Sequence, residues 1–219
     1  SLAQQTIFLS RRWHTSAQGL PRFEALTGMI YAGLSLQGME QHVAPAVKAL
    51  ARDCTREIDD TGGIPTRNPE ELLEVLTLLT WTTAALTESG HQPPAAIATA
   101  IARITPTLRA LRHADGGLAR FHGGGRGLIG RLDHALAAAG DKTRPSEMLY
   151  MGYARLSGGR TSIVIDAATP PTGPASVNAH ASTLALEVTS GRRPLIVNCG
   201  SGRTFGEDWR RAGRATPSH

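Results

Sequence analysis

One short stretch near the C-terminal end of the chain combines residue types that bind metals or move protons. In NAHASTLALEVTSGRRPLIVNCG, Asn178 and His180 stand two residues apart, and Asn198 lies two residues before the end of the stretch. Imidazole binds metals and transfers protons near neutral pH, whereas an asparagine amide is neither an acid nor a base there. His180 is therefore a candidate metal ligand, a candidate catalyst, or a residue at the end of a sheet.

A second candidate group lies in the glycine-rich stretch DGGLARFHGGGRG, where Arg120 and Arg126 flank His122. Glycine lets a ligand approach the backbone closely, and arginine pairs well with carboxylate or sulfate groups. The alternative is a flexible connector between two domains. A phosphate-binding loop is disfavoured, because no Lys-Ser/Thr follows the glycines.

Three further residues are candidates with an ordinary structural alternative. Asn68 precedes Pro69 and two glutamates, which is typical of a helix N-cap, and Arg67 lies in the same loop. Both are predicted to contact substrate, with capping as the alternative for Asn68. Tyr153 is a candidate proton donor, although its apolar neighbours favour packing within a sheet.

The elements that would position these residues fall into two halves. Residues 1–112 carry apolar residues at three- and four-residue steps, which predicts helices, among them one opening at Pro69 and one over 21–37. A short helix is predicted in RGLIGRLDHALAAAG. After it the period changes to two, and MLYMGYARLSGGRTSIVIDAAT and TLALEVTSGRRPLIVNCG read as hairpins, the first beginning near Leu149.

Helices followed by hairpins predict an α+β chain with two domains. We place the helical domain at 1–143 and an antiparallel sheet domain at 144–219. Four strands alone would leave an open sheet edge, so we expect a second chain or a further C-terminal part to complete the β domain. Both ends of the sequence, SLAQQTIFLSRRWH and RATPSH, read like interior segments, and we expect a fragment of a longer protein.

Composition narrows the class of partner. The net charge is +5, which suits an anionic partner, but no long basic run exists and an Arg-rich solvated surface is the ordinary alternative. Nucleic-acid binding is disfavoured because the basic residues are scattered. No apolar run reaches the length of a transmembrane helix. The two cysteines, Cys54 and Cys199, fit no metal-binding spacing.

The C-terminal hairpin resembles the heparinase II/III-like polysaccharide lyases. The family's His-x-His-x-Asp, Gly-Arg-Pro turn and Asp-Pro-Gly correspond to N-A-H-A-S, SGRRPLIV and N-C-G, and Trp-Arg-Arg with R-A-T-P-S-H resembles a later family segment. The helical half, with D-D-T-G-G-I-P-T-R-N-P, resembles the end of the family's toroid. The resemblance implies an α/α toroid followed by an antiparallel β-sandwich that is incomplete in this chain.

The resemblance also implies site residues. The family's zinc ligands fall on His180, Asn198 and His219, and its catalytic histidine falls on Asn178. An amide in place of a carboxylate is a poor zinc ligand, so a hydrogen-bonded strand end is the alternative to zinc. With Asn178 unable to titrate, His180, His122 and Tyr153 are the remaining candidates for proton transfer.

The function implied is β-elimination on an acidic, uronate-containing polysaccharide, in the periplasm or outside the cell. There a base removes the C5 proton and a neutralised carboxylate stabilises the carbanion. The alternative is a non-catalytic polysaccharide-binding or envelope-assembly protein that has lost these groups. The replacements at Asn178 and Asn198 favour this alternative.

Overall fold

The computed structural model describes residues 1–140, 149–200, 202 and 205–215 of the 219. We call 1–140 the helical region and 149–215 the sheet region. The predicted boundary between residues 143 and 144 lies outside the described residues. The helices are α1 Leu2–Arg12, α2 Leu20–Ser35, α3 Val43–Glu57, α4 Pro69–Glu88, α5 Ala95–Ala110, α6 Arg131–Ala139 and α7 Glu207–Ala212. The strands are β1 Tyr153–Gly158, β2 Thr161–Asp166, β3 Leu186–Ser190 and β4 Arg193–Ile196.

Helix α4 begins where the sequence predicts. The side chain of Asn68 accepts hydrogen bonds from the backbone N–H groups of Glu70 and Glu71, and Pro69 occupies the first turn. A proline loses nothing there because its position has no helical partner for an N–H. The cap therefore fixes the direction of the loop that carries Arg67.

The helical core forms where α2, α3, α4 and α5 pack on one another. Ile30, Leu50, Leu76 and Ile104 are fully buried in it, one from each helix. Burying such a side chain stabilises the fold by roughly 1.5–3 kcal/mol. This core gives the loops between helices a fixed base from which to reach the sheet.

The described sheet has the order β1-β2-β3-β4, and each neighbouring pair is antiparallel. Two-residue turns join the first and last pairs, and Gly159 and Gly191 adopt the positive φ that such turns need. The predicted hairpins are confirmed, but the expected start near Leu149 is wrong. The strand begins at Tyr153, because Met151 turns the chain with a φ of 52°.

The two faces of the sheet differ in chemistry. Residues paired directly across strands share a face, which places Tyr153, Asp166 and Glu187 on the inner face toward the helical region. All three are buried. The outer face is apolar and open to varying degrees, with Leu156 55% and Ile196 53% exposed.

No helix of the described residues is long and apolar enough to cross a membrane.

Candidate functional site

A buried polar cluster joins the helical region to the sheet region around Asp166, which ends β2. One carboxylate oxygen forms an ion pair with Nη2 of Arg67. The other accepts a hydrogen bond of 2.8 Å from the Ser182 hydroxyl and faces Nε2 of His122 at 3.2 Å. Asp166 is fully buried. We call these four residues the Asp166 cluster.

Arg67 connects this cluster to the backbone of the sheet region. Its backbone has a φ of 50°, and its guanidinium donates to the carbonyls of Met151 at 3.0 Å and Thr169 at 2.8 Å. The guanidinium carbon lies 4.7 Å from the centre of the Tyr153 ring. The donors of Arg67 are thus directed into the sheet region rather than toward solvent, and its side chain is only 11% exposed.

Asp166 carries the charge that balances Arg67. Burial by itself raises the pKa of this carboxyl, but the contacts from His122, Arg67 and Ser182 outweigh burial and hold the pKa below its usual value. Asp166 is therefore ionised at neutral pH. An ionised, fully buried carboxylate with three protein partners acts as a structural anchor here.

The two histidines predicted as chemical groups lie together, with ring centres 6.0 Å apart. The backbone N–H of His180 donates to Nδ1 of His122 at 3.2 Å, and that of Gly123 donates to Nε2 of His180 at 3.0 Å. Each imidazole therefore accepts through one nitrogen and carries its neutral-form proton on the other. For His122 that proton faces Asp166. The exposed fractions are 1% for His122 and 2% for His180.

The glycine-rich loop is packed against protein side chains. A Cβ atom at Gly123 would lie 2.7 Å from Cβ of Asn178, and one at Gly124 would lie 2.4 Å from Oδ1 of Asn68. The backbone N–H of Gly125 donates to Glu70 at 2.7 Å. The glycines thus allow a close approach, as predicted, but by Asn178 and Asn68 of the chain itself.

Tyr153 is a packing residue of the same junction. It is 1% exposed, and its hydroxyl donates to the backbone carbonyl of Arg67 at 2.6 Å. Burial, and secondly the charge of Asp166, raise the pKa of this phenol well above its usual value. Its proton is therefore held in a hydrogen bond within the fold.

A second buried cluster lies further along the inner face, around Glu187 of β3. Its carboxylate contacts Nε2 of His113 at 2.7 Å and Nη1 of Arg120 at 3.4 Å, and it accepts the backbone N–H of Asn198 at 3.0 Å. Nδ1 of His113 lies 3.0 Å from the Thr189 hydroxyl. We call these five residues the Glu187 cluster.

Glu187 is held ionised in the same way. Burial raises its pKa, but the hydrogen bonds from His113 and from the Asn198 backbone, with the charge of Arg120, hold the pKa below the usual value. Arg120 is 20% exposed on its side chain, so it remains in partial contact with water. The predicted substrate-binding Arg120 is thus the partner of an internal carboxylate.

The remaining predicted residues are dispersed. Arg126 pairs with Asp115 at 3.2 Å at the surface. The side-chain nitrogen of Asn198 is buried and has no hydrogen-bond partner among the described residues. His219 lies outside the described residues.

The described part of the zinc set is a poor fit to the metal. Nε2 of His180 already accepts the Gly123 N–H, and Asn198 contributes only a neutral amide. No three His, Cys, Asp or Glu residues of the described chain group closely enough to hold a metal ion. Zinc binding stays a prediction.

A cavity of about 620 Å³ opens beside the junction. The helical region contributes Phe23, Glu57 and Glu71 to its wall, and the loop after β2 contributes Thr172 and Pro174. Burial raises the pKa of Glu71, although contacts with Thr66 and Leu20 act against that change. The apolar surface of the cavity and its scattered polar groups suit hydroxyl-bearing ligands.

Sequence reasoning identified His122, His180 and Arg67 but missed the groups that hold them. Asp166, Ser182, His113 and Glu187 were not predicted. The sequence did contain a signal for Asp166 and Glu187. Each lies two residues along its strand from another inward-facing, buried position. A carboxylate on an inward position requires a buried partner.

Fold and junction together define a class of α+β protein in which two buried carboxylates tie a helical region to an antiparallel sheet. Residues 140–219 match the model of the family described as "Heparinase II/III-like, C-terminal". Residues 140–219 thus match a heparinase II/III-like C-terminal domain, as the sequence resemblance predicted.

Among curated relatives, FtsZ-localized protein C of Caulobacter vibrioides (strain NA1000 / CB15N) is 34% identical over 178 residues. The alignment covers 80% of this chain and 30% of that protein. The fold resembles that of a crystal structure of heparinase III, with a TM-score of 0.78 at 11% identity over 97% of this chain and 40% of that one. Heparan sulfate lyase HepC of Pedobacter heparinus gives a TM-score of 0.66 at 14% identity over 97% of this chain and 38% of that one. The chain therefore spans well under half the length of these proteins.

Proposed function

We propose that this chain belongs to a protein that binds an acidic, uronate-containing polysaccharide without cleaving it through its histidines. One observation carries the proposal. The three groups that the sequence predicts for proton transfer, His122, His180 and Tyr153, are at most 2% exposed and hydrogen-bonded within the fold. General acid–base catalysis needs the group within reach of the substrate proton.

The residue at the family's catalytic position supports the same conclusion. Asn178 is partly exposed beside Gly123, so it is available to a ligand. An amide donates and accepts hydrogen bonds but does not titrate at neutral pH. It can thus hold a sugar carboxylate or hydroxyl at the junction without acting as a base.

The setting we propose is the cell envelope. The match of residues 140–219 to the heparinase II/III-like family supports a polysaccharide ligand, and the relative named FtsZ-localized protein C supports a position where FtsZ is found. Periplasmic or secreted placement is part of this proposal. In the whole protein, the helical region would be the end of an α/α toroid and the sheet the first layer of a β-sandwich. The apolar, partly open outer face of the sheet supports that arrangement.

An eliminative lyase is the second candidate. It is favoured by a fold similar to heparinase III over nearly the whole chain. Asn178 would then neutralise the substrate carboxylate, and a residue other than the two buried histidines would remove the proton.

Binding and cleavage are separated by one experiment on the intact protein. Isothermal titration with polygalacturonate, alginate and heparan sulfate, with neutral dextran as control, measures binding. Ultraviolet absorbance of the unsaturated uronate measures elimination in the same mixtures. We expect saturable binding of at least one acidic polymer and no rise in absorbance. The proposal is overturned if dextran binds as well as the acidic polymers, or if no acidic polymer binds. A rise in absorbance establishes the lyase.

A charge change at Asn178 locates the site. Asn178→Asp preserves shape but adds a negative charge beside the glycine loop, so we expect about tenfold weaker binding of the acidic polymer. Gln92→Glu is the matched control, because Gln92 is exposed beyond the far end of α4, about 30 Å along that helix from Asn68. Equal losses in both variants would exclude Asn178 as a contact residue.

A further inference from the structure

Three arginines of the junction are already paired with carboxylates of the protein. Arg67 pairs with Asp166, Arg120 with Glu187, and Arg126 with Asp115. The adjoining cavity adds the carboxylates of Glu57 and Glu71. An acidic polymer bound there gains little charge from these three arginines. Arg22 also lines the cavity, and further positive charge from another part of the chain would strengthen binding.

Three exposed arginines stand together at the opposite end of the sheet. Arg160 belongs to the turn between β1 and β2, Arg192 to the turn between β3 and β4, and Arg193 is the first residue of β4. No carboxylate of the described residues lies within 4 Å of their charged groups, in contrast to Arg67, Arg120 and Arg126. We call Arg160, Arg192 and Arg193 the arginine patch.

The two turns are held against each other. The backbone N–H of Gly191 donates to the carbonyl of Arg160 at 2.6 Å, and Thr161 pairs with Ser190 across β2 and β3. The guanidinium of Arg160 lies along Gly191, where an added Cβ atom would be 3.1 Å from Nη2. The backbone thus sets the spacing of the patch before any ligand binds.

We propose that the arginine patch is a second contact site for the acidic polysaccharide, binding its carboxylate or sulfate groups. The inference rests on the proposed function. Guanidinium groups bind such anions through paired hydrogen bonds. Three arginines therefore offer directed contacts to carboxylate or sulfate groups in addition to their charge. The patch lies about 20 Å, the length of a six-residue strand, from the Tyr153 end of the sheet. Only a polymer long enough to cross that distance contacts both sites.

Other anionic partners fit the patch less well. Polybasic membrane contacts use clusters of four to eight basic residues, each contributing about 1 kcal/mol, often with apolar groups that insert. Here there are three, and the turns carry serine and glycine. Single-stranded nucleic acid binds aromatic side chains on which bases stack, and these turns have none.

The test compares two triple variants of the intact protein. Arg160→Gln, Arg192→Gln, Arg193→Gln removes the patch, and Arg11→Gln, Arg12→Gln, Lys48→Gln removes the same charge from exposed positions of α1 and α3. We expect the patch variant to bind the long acidic polymer at least about tenfold more weakly, and the control to stay within about twofold of wild type. Circular dichroism and unfolding in urea check that both variants are folded.

The outcomes separate this inference from the proposed function. Equal affinities of wild type and patch variant for the polymer overturn the patch but leave the proposed function standing. No binding by wild type overturns both. A short oligosaccharide should bind both proteins alike, because it cannot span the two sites. A patch variant that loses DNA or anionic-vesicle binding, and keeps polysaccharide binding, assigns the patch to another partner.

Discussion

Asp166 and Glu187 both lie on the inner face of the sheet, and each meets a histidine and an arginine from the helical region. The two arginines are held differently. Arg67 is 11% exposed and donates to backbone carbonyls as well as to its carboxylate, whereas Arg120 is 20% exposed and contacts Glu187 at 3.4 Å. The first cluster is a closed ion pair, and the second retains contact with water.

This difference decides how much each carboxylate contributes to the fold. A buried cation left without its counter-ion is costly, because the protein interior screens charge poorly. A partly hydrated arginine regains solvation when its partner is removed. The Asp166 cluster should therefore dominate the stability of the junction, although both clusters join the same two regions.

The largest effect is expected from Asp166→Asn, which leaves Arg67 buried without a counter-charge. We expect a loss of about 3–5 kcal/mol in the free energy of unfolding, measured with urea. Asp60→Asn is the control, since Asp60 is 92% exposed and forms only a surface pair with Arg103 at 2.8 Å. That control should lose no more than about 1 kcal/mol. A similar loss in the two variants would show that the buried pair contributes nothing special.

Glu187→Gln should cost less, about 1–3 kcal/mol, because the side chain of Arg120 reaches water and regains solvation when its partner is removed. The same urea experiment measures it. If Glu187→Gln costs as much as Asp166→Asn, the two clusters contribute equally and the exposure of the arginine does not set the cost.

Acid should weaken the wild-type junction through both carboxylates. Their pKa values are lowered by folding, so the unfolded chain binds more protons in acid and stability falls as pH falls. The loss should begin near the unfolded values of 4.5 for Glu187 and 3.8 for Asp166 and grow below them. The stability difference between wild type and Asp166→Asn should accordingly shrink below pH 3.8, as urea unfolding at several pH values would show. A constant difference would mean that Asp166 does not titrate with folding.

The elements of the fold were largely readable from the sequence. The spacing of Leu72, Leu76 and Leu79 and the cap at Asn68 predict α4, and alternation with Gly191 at the turn predicts the second hairpin. These signals are local, since cap, stripe and turn lie within a few residues. Met151 was misread because alternation alone does not reveal a positive φ.

The junction was readable only in part, because its contacts join distant residues. Arg67 and Asp166 are 99 positions apart, and His113 and Glu187 are 74 apart. Residue type alone identified His122, His180 and Arg67 as candidate functional groups. Their partners depend on which strand position faces the helices, and that follows from the register of the sheet. Whether they face solvent or one another is likewise a property of the packed fold.

The smallest effect is expected from Tyr153→Phe. This variant tests whether Tyr153, which lies beside the Asp166 cluster, is a packing residue or a proton donor. The substitution removes only the hydroxyl that donates to the Arg67 carbonyl at 2.6 Å, so we expect a loss of about 1 kcal/mol. The ring stays beneath the Arg67 guanidinium, so the Asp166 pair should remain formed and polysaccharide affinity unchanged. If wild type has eliminative activity and Tyr153→Phe abolishes it while the variant remains folded, Tyr153 reaches the substrate by an opening of the junction. The closed cluster would then be one state of a working active site.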